Sequence, residues 1–327
     1  MRAQVTFPSL PALVLFAVLL LACLTSLRAQ TIDPYYANNY SFTDLGTVPG
    51  VPTSYGGVTF KEGDPNTLLI GGSANNTSAQ IFSIGVVRGA GNHITGFSGS
   101  ASFFANAAGM SFGGIDGGLA YGPGGVLFYT SYSDNSIGQI KPGSSGPDRQ
   151  ISLTPLGVGS SVGTLAFVPA GFNGAGRLKI ASYSAGIWYD ATVSPDGVGT
   201  FDILPSGPTV SIGGGPEGIL FVAQGNPLFP TQSVLISEYS NGRIVSYEMD
   251  ANGDPVLGTV RVFLSGLSGA EGSVVDPLTG DFLFSTYGGG SHVLLVQGFT
   301  IVPEPRTWAL LVAGLAGVMV SRRRSGR

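Results

Sequence analysis

The chain contains little cysteine, histidine and charge, and each shortage excludes a class of functional site. The one cysteine, Cys23, lies in an apolar run near the amino terminus, so the rest of the chain has neither disulfides nor thiol chemistry. The 2 histidines, His93 and His292, are far apart, and the ligand spacing of a zinc site is missing. The chain has no Gly-x-Ser-x-Gly elbow, and its Gly-rich segments lack the lysine of a phosphate loop. The sequence therefore offers no recognisable catalytic set and favours a protein that is not an enzyme.

Charged residues make up only 10% of the chain, and acids dominate its central part. Residues 31–302 carry 8 basic and 18 acidic side chains, and the remaining basic residues lie at the two ends. An acidic domain repels phosphate groups, which argues against nucleic acid as a partner. Calcium ions, neutral glycans and basic proteins are more compatible with this charge.

Long apolar runs are confined to the two ends of the chain, and the first has the form of a secretory signal. Arg2 provides the positive start, and Ala12–Leu24 is a run of 13 apolar residues that is short for a bilayer span. We therefore predict that residues 1–30 are a signal peptide for the Sec translocon. The alternatives are a retained anchor or a lipid attached at Cys23, but Leu21 stands where a lipoprotein signal requires a small residue.

The second apolar run lies in the last 25 residues and is framed by two motifs. A Pro-Glu-Pro motif precedes the apolar run over 309–320, and a cluster of arginines follows it. The motif residues are Pro303, Glu304, Pro305, Arg322, Arg323 and Arg324. Prolines keep the approach extended, and arginines hold such a tail on the cytoplasmic side of a membrane. The order of the three parts resembles the PEP-CTERM sorting signal.

The resemblance to PEP-CTERM proteins covers residues 303–327 and implies a route of delivery. It implies recognition by an exosortase, transient anchoring in the inner membrane through a short transmembrane helix, and removal of the tail. The destination would be the cell surface or extracellular matrix of a Gram-negative bacterium, rich in extracellular polysaccharide and biofilm. The alternative is an ordinary membrane anchor that is never cleaved.

Residues 31–302 form one predicted domain, and this domain contains a repeat. Glycine and proline, with 52 and 21 residues in the chain, separate short apolar runs, as expected for many strands and tight turns. An apolar segment begins near residues 57, 118, 164, 218 and 272, and further β-rich segments follow it each time. The period of 46 to 61 residues is close to that of a four-stranded propeller blade.

The repeat predicts an all-β fold: a β-propeller with five blades, each a four-stranded antiparallel sheet. Six or seven blades, a β-sandwich and a β-helix are the alternatives. Tyr40–Val48 precedes the first repeat and would supply the outer strand of the last blade, so that the ring has no free sheet edge there. The strand rhythm and the Glu-Gly pairs at Glu217 and Glu271 resemble NHL-repeat and SMP-30/gluconolactonase-like propellers. That resemblance implies a metal on the propeller axis, held partly by a glutamate.

Three acids stand at the beginnings of repeats, where a propeller chain leads into its innermost strands. They are Asp116, Glu217 and Glu271. Carboxylates that converge on an axis repel one another unless a cation or proton lies between them, and hard oxygen ligands favour Ca²⁺. The other two blades offer only Tyr55-Gly56 and Val162-Gly163, so a complete cage is not evident. The alternative is that each acid accepts hydrogen bonds from its own loop.

A second acidic segment, Asp250–Asp254, places oxygens at alternate positions, as the start of a calcium loop does. Pro255 follows it, and Arg261 stands where the loop would need its last acid. We therefore predict a hairpin turn at this segment.

Four of the five second strands end in an aromatic residue at the same place in the repeat. These residues are Tyr132, Tyr183, Tyr239 and Tyr287. They could form a ring near one face of the propeller and stack on sugar rings. A repeated aromatic more often packs between blades, and this is the interpretation that the sequence favours.

Two hypotheses for the function follow from these observations. The first is a non-enzymatic surface or matrix protein whose propeller binds extracellular polysaccharide or another surface protein. The second is a secreted propeller hydrolase or lactonase with a calcium ion near Glu217, Glu271 and Asp116. The sorting tail, the acidic domain and the missing catalytic set favour the first hypothesis.

Overall fold

The computed structural model describes residues 30–300, and all of its regular structure apart from five short 3-10 helices is β-strand. The predicted signal peptide, apart from Gln30, and the sorting tail with its apolar run lie outside this range. Within residues 30–300, no helix is long and apolar enough to cross a bilayer. The 3-10 helices are Ala90–Asn92, Pro123–Gly125, Thr154–Leu156, Tyr239–Asn241 and Leu257–Thr259.

The described chain begins with two short strands that belong to the last two blades, and it then forms blade 1. The N-terminal strands are β1 (Thr31–Ile32) and β2 (Ser41–Asp44). Blade 1 is an antiparallel sheet with the order β3-β4-β5-β6 from the inside outwards. Its strands are β3 (Val58–Lys61), β4 (Asp64–Gly72), β5 (Gln80–Arg88) and β6 (Ile94–Asn106).

Blades 2 and 3 repeat this arrangement, each with four antiparallel strands in sequence order. Blade 2 contains β7 (Ile115–Tyr121), β8 (Leu127–Ser131), β9 (Ser136–Ile140) and β10 (Arg149–Ser152). Blade 3 contains β11 (Val162–Phe167), β12 (Leu178–Ser182), β13 (Ile187–Pro195) and β14 (Phe201–Pro205). A short additional strand, β15 (Val210–Ser211), pairs with β13.

Blades 4 and 5 each take a strand from the N-terminal end of the described chain. Blade 4 contains β16 (Pro216–Val222), β17 (Ser233–Glu238), β18 (Arg243–Glu248) and β19 (Arg261–Ser265), and β1 adds a fifth strand outside β19. Blade 5 contains β20 (Ala270–Val275), β21 (Phe282–Thr286) and β22 (Val293–Gln297), and β2 completes it. In the outer pair, Ser41 lies opposite Gln297 and Asp44 opposite Leu294.

The five sheets form a ring, because the innermost strand of each blade contacts the innermost strands of its neighbours: β3 with β7, β7 with β11, β11 with β16, β16 with β20 and β20 with β3. The prediction of an all-β propeller with five blades is therefore confirmed. The predicted closing strand is also confirmed, although only Ser41–Asp44 of the predicted segment pairs. The sequence did not predict the strand β1, whose two residues are too few to show a period.

The hydrophobic core is divided into five clusters, each between two neighbouring blades. Alternate residues of one strand serve the two sides of the blade, since side chains of a strand point to opposite faces. In β4, Leu68 and Ile70 pack against blade 5, while Leu69 packs against blade 2. In β21, Phe284 packs against blade 4 and Leu283 against blade 1. Both faces of these second strands are therefore apolar, which explains their continuous apolar runs in the repeat.

At the axis, glycines allow the inner strands to meet through their backbones. A Cβ atom at Gly117 would overlap the Glu217 carbonyl oxygen, and one at Gly218 would overlap the Glu271 carbonyl oxygen. A Cβ at Gly272 would lie 2.6 Å from the Cα of Gly57. Side-chain hydroxyls add hydrogen bonds across blade boundaries: Thr130 Oγ1 donates to the Gly163 oxygen at 2.8 Å. The axis is thus filled by backbone at this level.

The last described residues of the chain lie at one of the two faces of the ring. The inner strands begin at one face, which we call the upper face, and end at the lower face. Phe299 and Thr300, the last described residues, lie at the lower face, where Thr300 N donates to Asn226 Oδ1 at 2.8 Å in the loop after β16. The ring of Phe299 stacks on Phe282 with centroids 3.6 Å apart.

We predict that Gly117→Ala destabilises the protein, because the new methyl group would collide with the backbone of blade 4, which cannot move without disturbing the whole ring. The expected loss is about 1–3 kcal/mol or more of unfolding free energy, measured by urea denaturation. Gly96→Ala is the matched control, because a Cβ at Gly96 in β6 meets no atom within 4 Å. Equal stability of the two variants would contradict the backbone contact at the axis.

Candidate functional site

The three predicted acids converge at the upper face, because each lies at the start of an inner strand. Asp116 is the second residue of β7, Glu217 of β16 and Glu271 of β20. One oxygen from each carboxyl group lies within 4.8 Å of the others. The glycine that follows each acid permits this approach, since the inner strands touch through those glycines.

The three carboxyl groups are buried, with 1–2% of each residue exposed, and they are short of hydrogen-bond donors. When all three are ionised, Asp116 Oδ2, Glu217 Oε2 and Glu271 Oε2 have no donor within reach. This differs from the alternative in which each acid is satisfied by its own loop. A buried carboxylate without a partner is costly, so the cluster requires a proton or a cation.

Burial raises the pKa of all three acids. For Asp116, burial outweighs the hydrogen bonds from Glu217, Asn75 and Gly117 and raises the pKa from 3.8 to about 7. Burial, followed by repulsion from Asp116 and Glu271, raises the pKa of Glu217 well above its ordinary value of 4.5. Burial and the charge of Asp116 do the same for the pKa of Glu271. The cluster therefore retains protons at neutral pH when nothing else neutralises it.

The four predicted tyrosines form an arc above these acids. Each follows the second strand of its blade, and neighbours meet edge to face across the blade boundaries. The ring centroids of Tyr132 and Tyr183 are 5.4 Å apart, those of Tyr183 and Tyr239 5.8 Å, and those of Tyr239 and Tyr287 6.1 Å. The tyrosines are half-buried, so they pack between blades and also expose ring surface.

Blade 1 has no tyrosine in the arc, and Asn75 occupies the gap. Asn75 N donates to the Ile115 oxygen at 3.0 Å, and Asn75 Nδ2 donates to Asp116 Oδ1 at 2.9 Å. Its φ of 65° is in the left-handed region, which asparagine tolerates better than most residues. The sequence analysis missed this residue. The signal that could have identified it is the absence of an aromatic after β4.

The arc, the asparagine and two of the acids enclose a cavity of about 170 Å³ at the upper end of the axis. The residues that line it are Asn75, Tyr132, Tyr183, Glu217, Tyr239, Glu271 and Tyr287. Asp116 lies behind this lining, within reach of both glutamates. The structure therefore joins the two predicted groups, acids and tyrosines, in one site that we call the axial pocket. Asp116, Glu217 and Glu271 form the only cluster of three carboxyl groups this close together among residues 30–300.

The other residues that the sequence analysis considered lie elsewhere. Asp250–Asp254 forms the predicted hairpin turn, in which Asp250 Oδ1 accepts hydrogen bonds from the backbone of Asn252 and Asp254. His93 pairs with Asp281, the residue before β21, and His292 pairs with Asp44 in β2. The sorting residues Pro303, Glu304, Pro305, Arg322, Arg323 and Arg324 lie outside the described range.

Comparisons with known proteins find similar structures, all at low sequence identity. No protein-family model matches the chain, and no curated protein matches it in sequence. Its structure is similar to the β-propeller domain of Cps50 (Swd1) from Myceliophteria thermophila, with a TM-score of 0.39 and 10% identity over 73% of this chain and 68% of that chain. It is similar to the PQQ-bound aldose sugar dehydrogenase of Streptomyces coelicolor, with a TM-score of 0.40 and 15% identity over 77% and 83% of the two chains. The PQQ domain of pyranose dehydrogenase from Coprinopsis cinerea has a TM-score of 0.40 and 10% identity over 82% and 97%.

We predict that the protein loses stability as the pH rises from about 4 through neutrality in the absence of a cation. The folded state holds protons on the axial acids more tightly than the unfolded chain, so this stability is complete below the unfolded pKa values. It is lost as the pH passes the raised values, about 7 for Asp116. Thermal melting in a chelator across this range measures the effect.

The matched variants are Glu271→Gln and Glu248→Gln. The first removes a buried charge and is expected to raise the melting temperature at pH 8 by a few degrees, since about 1 kcal/mol corresponds to about 2–4 °C. The second removes an exposed charge and should leave the pH profile as it is in the parent protein. If the parent protein and Glu271→Gln had identical profiles, the acids would not be buried together.

Proposed function

We propose that this protein is an exported surface or matrix propeller that binds extracellular polysaccharide in the axial pocket. The observation that carries the proposal is the meeting of two features in one cavity: aromatic walls and buried acids that lack donors. Aromatic rings present flat apolar faces that suit the C–H surfaces of sugar rings, and polar groups at the base of a pocket fix the orientation of a ligand. No catalytic function is needed to account for this arrangement.

A cation forms part of the proposed complex, because the three buried carboxyl groups can give up their protons together only when a cation replaces them. Ca²⁺ suits a site of oxygen ligands, and Asp116, Glu217 and Glu271 would hold it, with Asn75 Oδ1 as a fourth ligand. A calcium ion at the base of a sugar pocket would attract hydroxyl groups of the ligand. The proposal thus gives the acids and the tyrosines complementary roles in binding.

The route to the surface is proposed from the two ends of the chain. Residues 1–30 would direct the chain to the Sec translocon, and the tail over 303–327 would be recognised by an exosortase after transient anchoring in the inner membrane. Both segments lie outside the described residues, so the sequence pattern is their only support. The lower face, where Thr300 is held by Asn226, is where such a tail would leave the propeller.

The sorting step predicts a change in location when the Pro-Glu-Pro motif is removed. Replacement of Pro303, Glu304 and Pro305 by alanine should move the protein from the surface or medium to the inner-membrane fraction, because the exosortase would no longer recognise the tail. Cell fractionation with immunoblotting measures this change. Replacement of Thr307 by alanine is the control, and an unchanged location of the triple variant would contradict the route.

The binding step predicts that the purified full-length protein co-sediments with the host's extracellular polysaccharide in a saturable way. Tyr239→Ala should weaken binding about tenfold or more, because Tyr239 is one of the two central tyrosines of the arc and ring stacking contributes about 1 kcal/mol or more. Tyr35→Ala removes an exposed tyrosine outside the pocket and should bind as the parent protein does. Runs with calcium and with a chelator show whether the metal contributes, and equal binding by the two tyrosine variants would contradict the site.

A calcium-dependent hydrolase or lactonase is the second candidate, and the observation that favours it is the cluster of three buried carboxyl groups at the base of a pocket, which could hold the ion. Calcium would then raise the melting temperature of the protein, and Glu217→Gln would abolish both this shift and the turnover of lactone or ester substrates. Binding of polysaccharide without turnover of such substrates would support the first function.

A further inference from the structure

The axial pocket presents three hydrogen-bond acceptors that have no donor. When the acids are ionised, Asn75 Oδ1, Glu217 Oε2 and Glu271 Oε2 are buried atoms without a hydrogen bond, and the three residues line the same cavity. They come from three blades, numbers 1, 4 and 5. Among the described residues that line the cavity there is no lysine or arginine. A ligand that replaces the protons of the cluster must therefore bring both the donors and the positive charge.

The orientation of the Asn75 amide is set by the residue behind it. Asp116 Oδ1 accepts the hydrogen bond from Asn75 Nδ2, so the amide oxygen is the atom left for the pocket. The backbone of Asn75 is fixed in turn by its hydrogen bond to Ile115. The third acceptor is therefore held in place by the fold and does not depend on a ligand.

We infer that the axial pocket takes a sugar that carries a primary ammonium group, with the ammonium on Asn75, Glu217 and Glu271 and the sugar ring against the tyrosine arc. This inference rests on the proposed function and specifies its substrate class as an amino sugar of an extracellular polysaccharide. A primary ammonium has three N–H donors, which matches the three free acceptors. Aromatic rings around a cation add a favourable interaction with their π faces.

In this complex the ammonium group of the sugar takes the place of the calcium ion as the cation on the axial acids, and the walls of the pocket fit it better than a metal ion. Ca²⁺ takes 6–8 oxygen ligands, commonly including water, and the mouth of this pocket consists of tyrosine rings. An ammonium group needs only three acceptors, and the rest of its sugar is a partly apolar ring. Calcium and the amino sugar would compete for the same glutamates, so added calcium should weaken binding of the amino sugar.

The test measures binding of three saccharide probes to the purified full-length protein by isothermal titration calorimetry. The probes are a tetramer of glucosamine, its fully N-acetylated counterpart and a glucose tetramer with the same linkage. In a chelator, the glucosamine tetramer should bind, and the other two should bind about tenfold to a hundredfold more weakly, because each lacks a charged donor. Methylamine alone and a lysine-containing peptide are further probes that separate an amino sugar from other amines.

Two pairs of variants test which groups provide the selectivity. Glu271→Gln keeps the shape of the side chain and should reduce the affinity for the glucosamine tetramer about tenfold or more, bringing it close to that for the acetylated tetramer. Glu248→Gln is the control for an exposed glutamate. Tyr239→Phe keeps the ring and should retain the preference, whereas Tyr239→Ala should weaken binding of every saccharide.

Each outcome decides either the inference or the function on which it rests. A preference for glucosamine that disappears in Glu271→Gln supports both. Equal, tyrosine-dependent binding of the three saccharides overturns the ammonium inference and leaves the sugar-binding function standing. Binding of the lysine peptide but of no saccharide overturns the assignment to sugars. If no probe and no polysaccharide binds, both the inference and the proposed function are overturned.

Discussion

The close approach of the inner strands at the axis is the contact on which the rest of the structure depends. Five blades leave little room at the centre of the ring, and the strands fit because glycines replace side chains where the backbones touch, as at Gly117 and Gly218. The acids stand next to those glycines in the sequence. The packing that closes the ring therefore also forces the carboxyl groups of Asp116, Glu217 and Glu271 together. The acidic cluster is thus a product of the geometry of the ring, and its formation requires the unfavourable burial of three carboxyl groups.

The hydrophobic core of the propeller extends around the whole ring and stabilises the fold against the unfavourable burial of the acids. Each blade buries both of its faces against its neighbours, so there are five apolar layers and no single centre. The inner strands at the axis could move apart only if at least two of these apolar layers separated. Buried apolar area provides most of the stability of such a fold, and it can support a locally unfavourable cluster of acids. The hydrogen bonds of Thr130 and Ser285 to neighbouring blades also hold the backbone around the cluster in place.

Much of this architecture could be predicted from the sequence, because the period of the repeat indicates the size and the number of the blades. The five apolar segments, the repeated tyrosine and the strand before the first repeat were sufficient for the number of blades and the mode of closure. Strand β1 could not be predicted, since two residues carry no period and its partner β19 is distant in the sequence. Four of the five inner strands also begin two or three residues before the predicted positions, as at Ile115, because bulges near the axis admit extra residues.

The site was only partly predictable for the same reason. Residues that repeat, such as Tyr132 and Tyr183, are visible as a pattern, whereas a residue that replaces the pattern in one blade is not. Asn75 has its role because it stands where blade 1 lacks a tyrosine and because Asp116 holds its amide. Both conditions depend on contacts between blades that no local segment of sequence contains.

The positions of the pocket and of the last described residue have a consequence for how the molecule would be displayed. The axial pocket opens at the upper face, and Thr300 lies at the lower face, separated by the length of an inner strand, which is roughly 20 Å. Any attachment through residues beyond Thr300 would leave the tyrosines pointing away from the point of attachment. A molecule tethered in this way would present its opening outwards, and neighbouring copies on the same support would all face the same direction.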